Sequence, residues 1–189
     1  MPELVPPSDR YRTSFLAAVD EILATGGDER QAGLAVLPPV GGYAGEAYSR
    51  EELADPATFA AYARRLVEAA DAELPRPAGI VATTYLWWVE EDEYLGRISV
   101  RHVLNRWLRE FGGHIGYAVR PSARRKGHAT AMLSAVLPVA AGLGIDPALV
   151  TCDDTNTASR RVIEANGGRL EDQRGEKQRF WVTTGALRA

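Results

Sequence analysis

The sequence predicts an α/β (α+β) fold in which a mixed central sheet carries helices on both faces. Three observations lead to this prediction. An apolar run at 114–119 lies between a glycine pair and a proline, as a buried strand does. Apolar residues then recur at helical spacing from Ala129 until two glycines stop them. Ahead of this block, β-branched and aromatic runs at 80–89 and 94–101 flank an acidic turn, which predicts an antiparallel hairpin.

The N-terminal third predicts two helices separated by a long loop. A first helix is expected over 8–24, because its apolar residues share one face and a glycine pair follows. Residues 25–48 contain six glycines and two prolines, so we expect a loop there. Ser49 and Glu52 have the spacing of a capping box. Pro56 suits the first position of a second helix, which later prolines end.

The C-terminal part predicts further strands and helices that complete the sheet. Apolar spacing at 104–111 indicates a short helix before a glycine pair. A strand is expected at 149–152, followed by a helix that opens at Asn156. Two short runs at 168–172 and 178–183 are expected to close the sheet.

Composition narrows the class of protein. The 189 residues are 46% apolar and 25% charged, which is ordinary for one globular domain. No apolar run approaches the roughly 20 residues of a membrane span, and residues 1–7 lack the features of a signal peptide. A single cysteine, Cys152, excludes an internal disulfide and suits a reducing compartment. The net charge of −3 argues against nucleic acid as the main partner. Since the sequence shows neither a membrane span nor a signal peptide, we expect a cytoplasmic protein that binds neither membrane nor nucleic acid.

The turn between the central strand and its helix has the properties of an anion site. The first N–H groups of a helix have no intrahelical partners and lie at the positive end of its macrodipole. Gly127 and Ala129 let the backbone approach a ligand closely, and Arg124, Arg125 and Lys126 add positive charge. We therefore predict a phosphate or pyrophosphate ligand. The alternative is a solvated basic loop before a well-capped helix.

Neighbouring motifs restrict the ligand. The chain contains neither the P-loop pattern nor the glycine pattern of dinucleotide folds at a strand end. Arg124-x-x-Gly127-x-Ala129 instead resembles the Arg/Gln-x-x-Gly-x-Gly/Ala motif of the GCN5-related N-acetyltransferase (GNAT) family. A strand and the pair Asn156-x-x-Ser159 follow in the order that this family shows. The resemblance extends loosely over 80–182.

The resemblance implies a mostly antiparallel sheet in the GNAT fold and acetyl-CoA as co-substrate, with no metal. It also implies one N-acetyltransferase domain over 1–189. Helices and an acceptor-side loop would occupy 1–77, and an acetyl-CoA-binding core would occupy 78–184. A homodimer is common in the family and is expected by analogy alone.

The resemblance also assigns cofactor-binding residues. These are Ala118, Val119, Arg124, Arg125, Lys126, Gly127, His128, Ala129, Thr130, Asn156 and Ser159. Backbone N–H groups of residues 117–119 would turn toward the pantetheine arm and the thioester and act as an oxyanion hole. Two alternatives stay open: an ordinary core strand with every N–H in its ladder, and an Asn156 that only caps its helix.

The candidate catalytic residues are His114, Tyr117 and Ser159. His114 stands where the family often places a general base, and the alternative is a strand-end histidine hydrogen-bonded for structure. Many members carry a tyrosine seven residues after the helix-opening asparagine, where this chain has Ile163. Tyr117, Ser159 and water then remain as sources of the proton for the departing thiolate, and a transfer without any general acid also stays open. Glu46 and the acidic run at 90–93 are candidates for attracting a cationic amine, and the alternative for the run is a solvated turn.

Together these features predict an N-acetyltransferase that transfers an acetyl group to a primary amine of a small molecule or peptide, directly in a ternary complex. Two other classes stay open. One is a sensor or regulatory module that binds acyl-CoA without turning it over. The other is a nucleic-acid-binding domain that reads phosphate through 120–126, which the acidic balance disfavours.

Overall fold

The computed structural model describes residues 1–40 and 42–185, and nine strands and five α-helices lie within them. The strands are β1 (Glu3–Val5), β2 (Ala35–Leu37), β3 (Glu46–Ala47), β4 (Thr83–Glu90), β5 (Glu93–Arg101), β6 (Ile115–Val119), β7 (Ala148–Asp153), β8 (Arg169–Arg174) and β9 (Lys177–Val182). The helices are α1 (Arg12–Ala24), α2 (Glu29–Ala32), α3 (Pro56–Glu68), α4 (His128–Gly142) and α5 (Thr157–Ala165).

Seven strands form the main sheet, in the order β1-β4-β5-β6-β7-β9-β8. Every neighbouring pair is antiparallel except β6 and β7. This arrangement confirms the mixed, mostly antiparallel sheet that the sequence and the resemblance predict. β1 extends the edge of the sheet beside β4, and three residues are too few to reveal it by periodicity.

The sheet separates two apolar cores. On one face, α1 and α3 cover the aromatic side chains of β4 and β5, with Phe15 stacked on Trp87 at 5.2 Å between ring centroids. On the other face, Met132 of α4 and Ile163 of α5 pack with apolar residues of β5, β6, β7 and β9. Helices on both faces are thereby confirmed, and each face has its own core.

The loop prediction for 25–48 is wrong in part. This segment contains α2, capped by the Asp28 side chain, and the small antiparallel sheet of β2 and β3. These elements are only two to four residues long, so they carry no periodic pattern. The predicted capping box is confirmed, because Ser49 and Glu52 exchange hydrogen bonds between side chain and backbone at 3.1 and 2.7 Å. Pro56 opens α3 as predicted.

The short helix predicted for 104–111 is a single π-helical turn over Leu108–Gly112, preceded by two helical residues. Gly113 follows it with a φ of 64°, and an added Cβ would lie 2.6 Å from the Leu149 carbonyl oxygen. Only glycine fits this contact, which brings the start of β6 against β7. Within the described ranges, no helix has the length and apolar character that crossing a bilayer requires.

Prediction for the aromatic core: Trp87→Ala lowers the free energy of unfolding by about 3 to 5 kcal/mol, because it empties the centre of the α1/α3 core. Trp87 is 1% exposed and contacts Phe15 and Tyr94. Trp107→Ala is the matched control, since Trp107 is 51% exposed and its loss costs below about 1 kcal/mol. Urea denaturation followed by circular dichroism measures both, and equal losses would contradict this assignment of the core.

Candidate active site

The site begins where β6 separates from β7. The two parallel strands are in register only at Ile115 and Val150, whereas β6 pairs with β5 along its whole length. Past Ile115 the ladder between β6 and β7 stops, and a gap opens between two strands that lie in the middle of the sheet. We refer to this opening, beside residues 116–119, as the strand gap.

Two backbone N–H groups of β6 face the strand gap. In an antiparallel ladder, alternate residues direct their N–H and C=O groups to the same partner strand. Arg120 N–H donates to the Leu95 carbonyl of β5 at 3.0 Å, so Ala118, two residues earlier, also faces β5. Tyr117 and Val119 then face the gap. The N–H of Ala118, expected among the oxyanion donors, lies on the β5 side.

The strand-to-helix turn leaves the first N–H groups of α4 without protein acceptors. Gly127 occupies the N-cap with a φ of 84° and offers no side-chain oxygen to the helix. Among the described residues, none accepts a hydrogen bond from the N–H groups of 128–130. An added Cβ at Gly127 would meet no atom within 4 Å, so the space in front of the turn is open. An anion placed there would receive several N–H groups and the helix dipole.

The charged residues of the turn lie around this opening. Arg124, Arg125 and Lys126 are exposed, and Arg125 has a positive φ of 61°. Arg124 Nε donates to the Val119 carbonyl at 3.1 Å, which ties its side chain to the end of β6. Ala129 and Thr130 are partly buried in the first turn of α4. The predicted cofactor residues of the turn are therefore adjacent in space.

His128 faces the sheet. Its Nδ1 accepts a hydrogen bond from the indole N–H of Trp88 on β4 at 3.2 Å. That nitrogen is occupied, so the group that His128 offers to the turn is its backbone N–H.

The turn is anchored to α1 by contacts that sequence analysis missed. Arg120 is 7% exposed and donates to the Glu21 carboxylate, which also accepts the N–H and the hydroxyl of Ser122, each at 3.0 Å. Desolvation alone would raise the pKa of Glu21, but the hydrogen bonds from Arg120 and Ser122 lower it to about 2. Ninety-nine residues separate Glu21 from Arg120, and no sequence pattern links them.

Tyr117 and Ser159 meet on the α4/α5 side of the strand gap. The two hydroxyl oxygens are 2.8 Å apart, and the Ser159 hydroxyl also lies against the Cys152 thiol. Burial raises the pKa of Tyr117 to about 12, although the contact with Ser159 opposes the shift. Burial also raises the pKa of Cys152. Tyr117 therefore stays protonated at neutral pH beside the gap.

Asn156 caps α5, as the more conservative interpretation of the sequence expected. Its Oδ1 accepts the Ser159 N–H at 3.0 Å. Its amide NH₂ has no acceptor among the described residues and is exposed to a ligand. Asn156 can therefore cap α5 with its Oδ1 and still offer its amide NH₂ to a ligand.

His114 is placed poorly for a general base. Its Nδ1 accepts the Leu149 backbone N–H at 2.9 Å, which leaves only Nε2. Burial lowers the pKa of His114 to about 4, with further lowering by Arg101 and Arg109. A base of such low pKa removes a proton from an amine inefficiently at neutral pH. These contacts favour the structural alternative for His114.

The acidic residues considered for amine attraction have cationic partners of their own. Glu46 pairs with Arg65 at 3.2 Å. The hairpin tip at 90–93 makes three ion pairs, between Glu90 and the amino group of Met1, Asp92 and Arg10, and Glu93 and Arg120. These contacts favour the solvated turn for this tip.

Comparison with known proteins places this geometry in a family. The sequence profile of the acetyltransferase (GNAT) domain matches residues 38–169. Mycobacterium smegmatis RimJ in complex with CoA-disulfide is similar with a TM-score of 0.62 and 20% identity, over 100% of this chain and 84% of RimJ. No curated protein sequence matches the chain significantly.

Two further structures resemble the chain. The microcin C7 self-immunity acetyltransferase MccE, in complex with acetyl-CoA and AMP, has a TM-score of 0.60 and 10% identity, over 96% of this chain and 92% of MccE. The ribosomal L7/L12 α-N-protein acetyltransferase RimL has a TM-score of 0.58 and 16% identity, over 96% of this chain and 90% of RimL. At these identities the structural matches confirm the expected fold.

Prediction for the anchor: Glu21→Gln lowers the melting temperature at pH 7 by about 3 °C or more, because Arg120 and Ser122 lose their charged acceptor. The pKa of Glu21 is about 2 in the folded protein against its usual 4.5. The carboxylate therefore stabilises the fold fully above pH 4.5, and its contribution is lost as the pH falls toward 2.

Thermal denaturation of wild type and variant between pH 7 and pH 3 measures this effect. The difference between them should shrink below pH 4.5. Glu68→Gln on the exposed side of α3 is the matched control and should change little at any pH. A Glu21→Gln deficit that is independent of pH would contradict the ionic role.

Proposed function

This chain belongs to the GNAT family of acetyltransferases, and we propose that it transfers an acetyl group from acetyl-CoA to the primary amine of a small molecule or peptide, directly within a ternary complex. The family that the motif at 124–129 predicts is confirmed by the profile match. One observation carries the proposal: an open helix N-terminus lies at one end of a gap between two central strands. RimJ and MccE, which share the fold, were solved with CoA-disulfide and with acetyl-CoA.

The turn fits the diphosphate of coenzyme A. No acceptor for the N–H groups of 128–130 lies in the described part of the chain, and the space in front of Gly127 is open. Arg125 and Lys126 are exposed beside these groups and add long-range attraction for the anion. Arg124 is hydrogen-bonded to the Val119 carbonyl and would lie at the edge of the site.

The strand gap fits an extended arm that carries a thioester. The N–H groups of Tyr117 and Val119 face it and are the proposed donors to the arm and to the thioester oxygen. Asn156 would donate its amide NH₂ from the other side. Acetyl-CoA supplies a thioester-activated acetyl group, and transfer to an amine forms a C–N bond, breaks the C–S bond and leaves a thiolate and a proton.

Tyr117 is the proposed general acid. Its hydroxyl lies beside Ser159 in the first turn of α5. The tyrosine that many family members carry later in this helix is Ile163 here, so Tyr117 would take its role. The pKa of about 12 keeps the phenol protonated, so its hydroxyl donates a hydrogen bond to the departing thiolate and passes its proton on only as the proton released by the amine replaces it. Ser159 fixes the direction of the hydroxyl and is the proposed partner in this step.

Deprotonation of the amine is assisted by the electrostatic field of the site. Arg101 and Arg109 contribute to the lowered pKa of His114. The same positive charges disfavour an ammonium group placed beside them, so they lower the pKa of an acceptor amine and release its proton to water more easily. This field reduces the need for a dedicated base.

Prediction for the coenzyme site: wild type shows a thermal shift with acetyl-CoA, and Gly127→Val abolishes it, because the side chain blocks the approach to the N–H groups of α4. Gly144→Val is the matched control. Gly144 also has a positive φ, at 76°, and open space around its Cβ position, but it lies beyond the other end of the same helix. Both substitutions place a β-branched residue at a positive φ, so both strain the backbone.

Differential scanning fluorimetry with acetyl-CoA separates strain from ligand binding. Both variants should melt earlier than wild type without ligand, and only Gly127→Val should lose the ligand-induced shift. A lost shift in both, or a retained shift in Gly127→Val, would contradict the assignment of the turn. No shift in wild type at millimolar acetyl-CoA would remove the proposal.

Prediction for the general acid: Tyr117→Phe lowers kcat by about 10-fold or more while the acetyl-CoA thermal shift stays, because it removes the phenolic hydroxyl and little volume. Tyr11→Phe is the control, since Tyr11 lies in the α1/α3 core away from the gap. Thiol release with a panel of amines measures the rate. Unchanged kcat in Tyr117→Phe would contradict the role, and a thermal shift without thiol release from any amine would favour the sensor.

A further inference from the structure

Two arginines of β5 lie on the sheet face opposite α4 and α5. Arg97 is in register with Trp87, whose ring belongs to the α1/α3 core. Arg101 ends the same strand, an even number of residues after Arg97, so both side chains lie on the same face. Ser99 lies between them and donates from its hydroxyl to the Gly116 carbonyl at 3.3 Å. This face borders the strand gap from the side of the N-terminal elements.

Arg101 has no carboxylate partner within the described ranges. One guanidinium nitrogen donates to the carbonyl oxygens of Gly112 and Gly113 at 2.9 and 3.0 Å. Burial lowers the pKa of Arg101 to about 10, and Arg30 and Arg97 act in the same direction. The guanidinium therefore stays charged in a partly desolvated position that other cations surround.

Arg97 is likewise without an acidic partner in the described part of the chain. Its side chain lies over the Gly33 backbone, 3.1 Å from the position of an added Cβ, and donates to the Arg30 carbonyl. Its Nε is buried and has no hydrogen-bond partner. A buried charged donor left unpaired is costly and is uncommon in folded proteins.

The contrast with other buried arginines shows that pairing is available to this chain. Arg120 is 7% exposed and binds Glu21 and Glu93. Arg179 is 2% exposed and binds Glu171 and Asp172. The chain has more acids than bases, with a net charge of −3. Among the residues that the structure describes, no carboxylate therefore pairs with Arg97 or Arg101.

Arg101 lies next to the proposed reaction site. The second terminal nitrogen of Arg101 is 3.4 Å from the position of an added Cβ on Gly116, and Gly116 directly precedes Tyr117. Trp107 and Phe111 form an exposed aromatic rim nearby, with Arg30 over the Trp107 ring at 6.0 Å.

We infer that the acceptor amine carries an oxyanion a few bonds from its nitrogen and that Arg97 and Arg101 bind this group. The inference deepens the proposed function and rests on it. A guanidinium binds a carboxylate or phosphate through a planar fork of donors, which fixes orientation as well as charge. Binding the oxyanion here directs the amine toward the gap and excludes simple polyamines, which would face uncompensated positive charge.

The experiment compares acceptors that differ only in the anion. Free amino acids and their carboxamides test an α-carboxylate, and aminoalkylphosphonates with their neutral esters test a phosphorus oxyanion. Dipeptides that differ as Asp against Asn at the second position test a peptide source. Wild type should favour the anionic member of at least one pair in kcat/KM by about 10-fold or more, the size expected for a charged hydrogen bond.

Variants then assign the preference to the arginines. Arg97→Gln and Arg101→Gln should each reduce the kcat/KM ratio of the anionic to the neutral acceptor toward one, while the acetyl-CoA thermal shift stays. Arg64→Gln on the exposed surface of α3 removes the same charge elsewhere and should keep the ratio. Arg97→Gln is informative even where loss of the Gly112 and Gly113 contacts unfolds Arg101→Gln.

The outcomes separate the two proposals. Equal or faster acetylation of neutral or polycationic amines, or an unchanged ratio in Arg97→Gln, overturns the inference and leaves acetyl transfer intact. An independent readout is the thermal shift by N-acetylated amino acids against their carboxamides, with coenzyme A present. Protection by the carboxylates alone supports the oxyanion site. If no amine is acetylated and no acetylated carboxylate protects the protein, both proposals fail.

Discussion

The architecture depends on the single point at which β6 and β7 are joined. Gly113 allows the backbone of β6 to start against Leu149, and the ladder between the two strands ends at Ile115 and Val150. A sheet normally satisfies its interior N–H groups through both neighbours. Here one side of β6 has no partner strand past Ile115, in the middle of the sheet and between two apolar cores. The open N-terminus of α4 extends this row of donors beyond the strand.

The site is held by electrostatic contacts as well as by the sheet. Arg120 leaves the end of β6 and returns to α1 through Glu21, while Ser122 fixes the next turn to the same carboxylate. The turn between β6 and α4 is thereby attached to α1 on the other face of the sheet. On the α4/α5 side, Tyr117 and Ser159 join β6 to the cap of α5. Each boundary of the strand gap is thus fixed by a polar contact between distant parts of the chain.

Sequence analysis predicted the long periodic elements and the local motifs. The hairpin, α4, the capping box and the Asn156 cap follow from patterns within a few residues. β1, α2 and the small sheet were missed because they are too short to show a period. The Glu21 anchor and the unpaired state of Arg97 depend on tertiary contacts, so no local pattern reports them. The register, which decides that Ala118 N–H faces β5, is likewise invisible before the strands are paired.

The separation of the molecule into two cores has a consequence for divergence. The groups proposed to bind coenzyme A lie with α4 and α5, whereas Arg97 and Arg101 lie on the face of α1 and α3. Substitutions on one face affect the packing of the other face only through the backbone of the sheet. Related enzymes can therefore exchange the residues that select an acceptor while the donor half stays intact, and one scaffold can serve many metabolic roles.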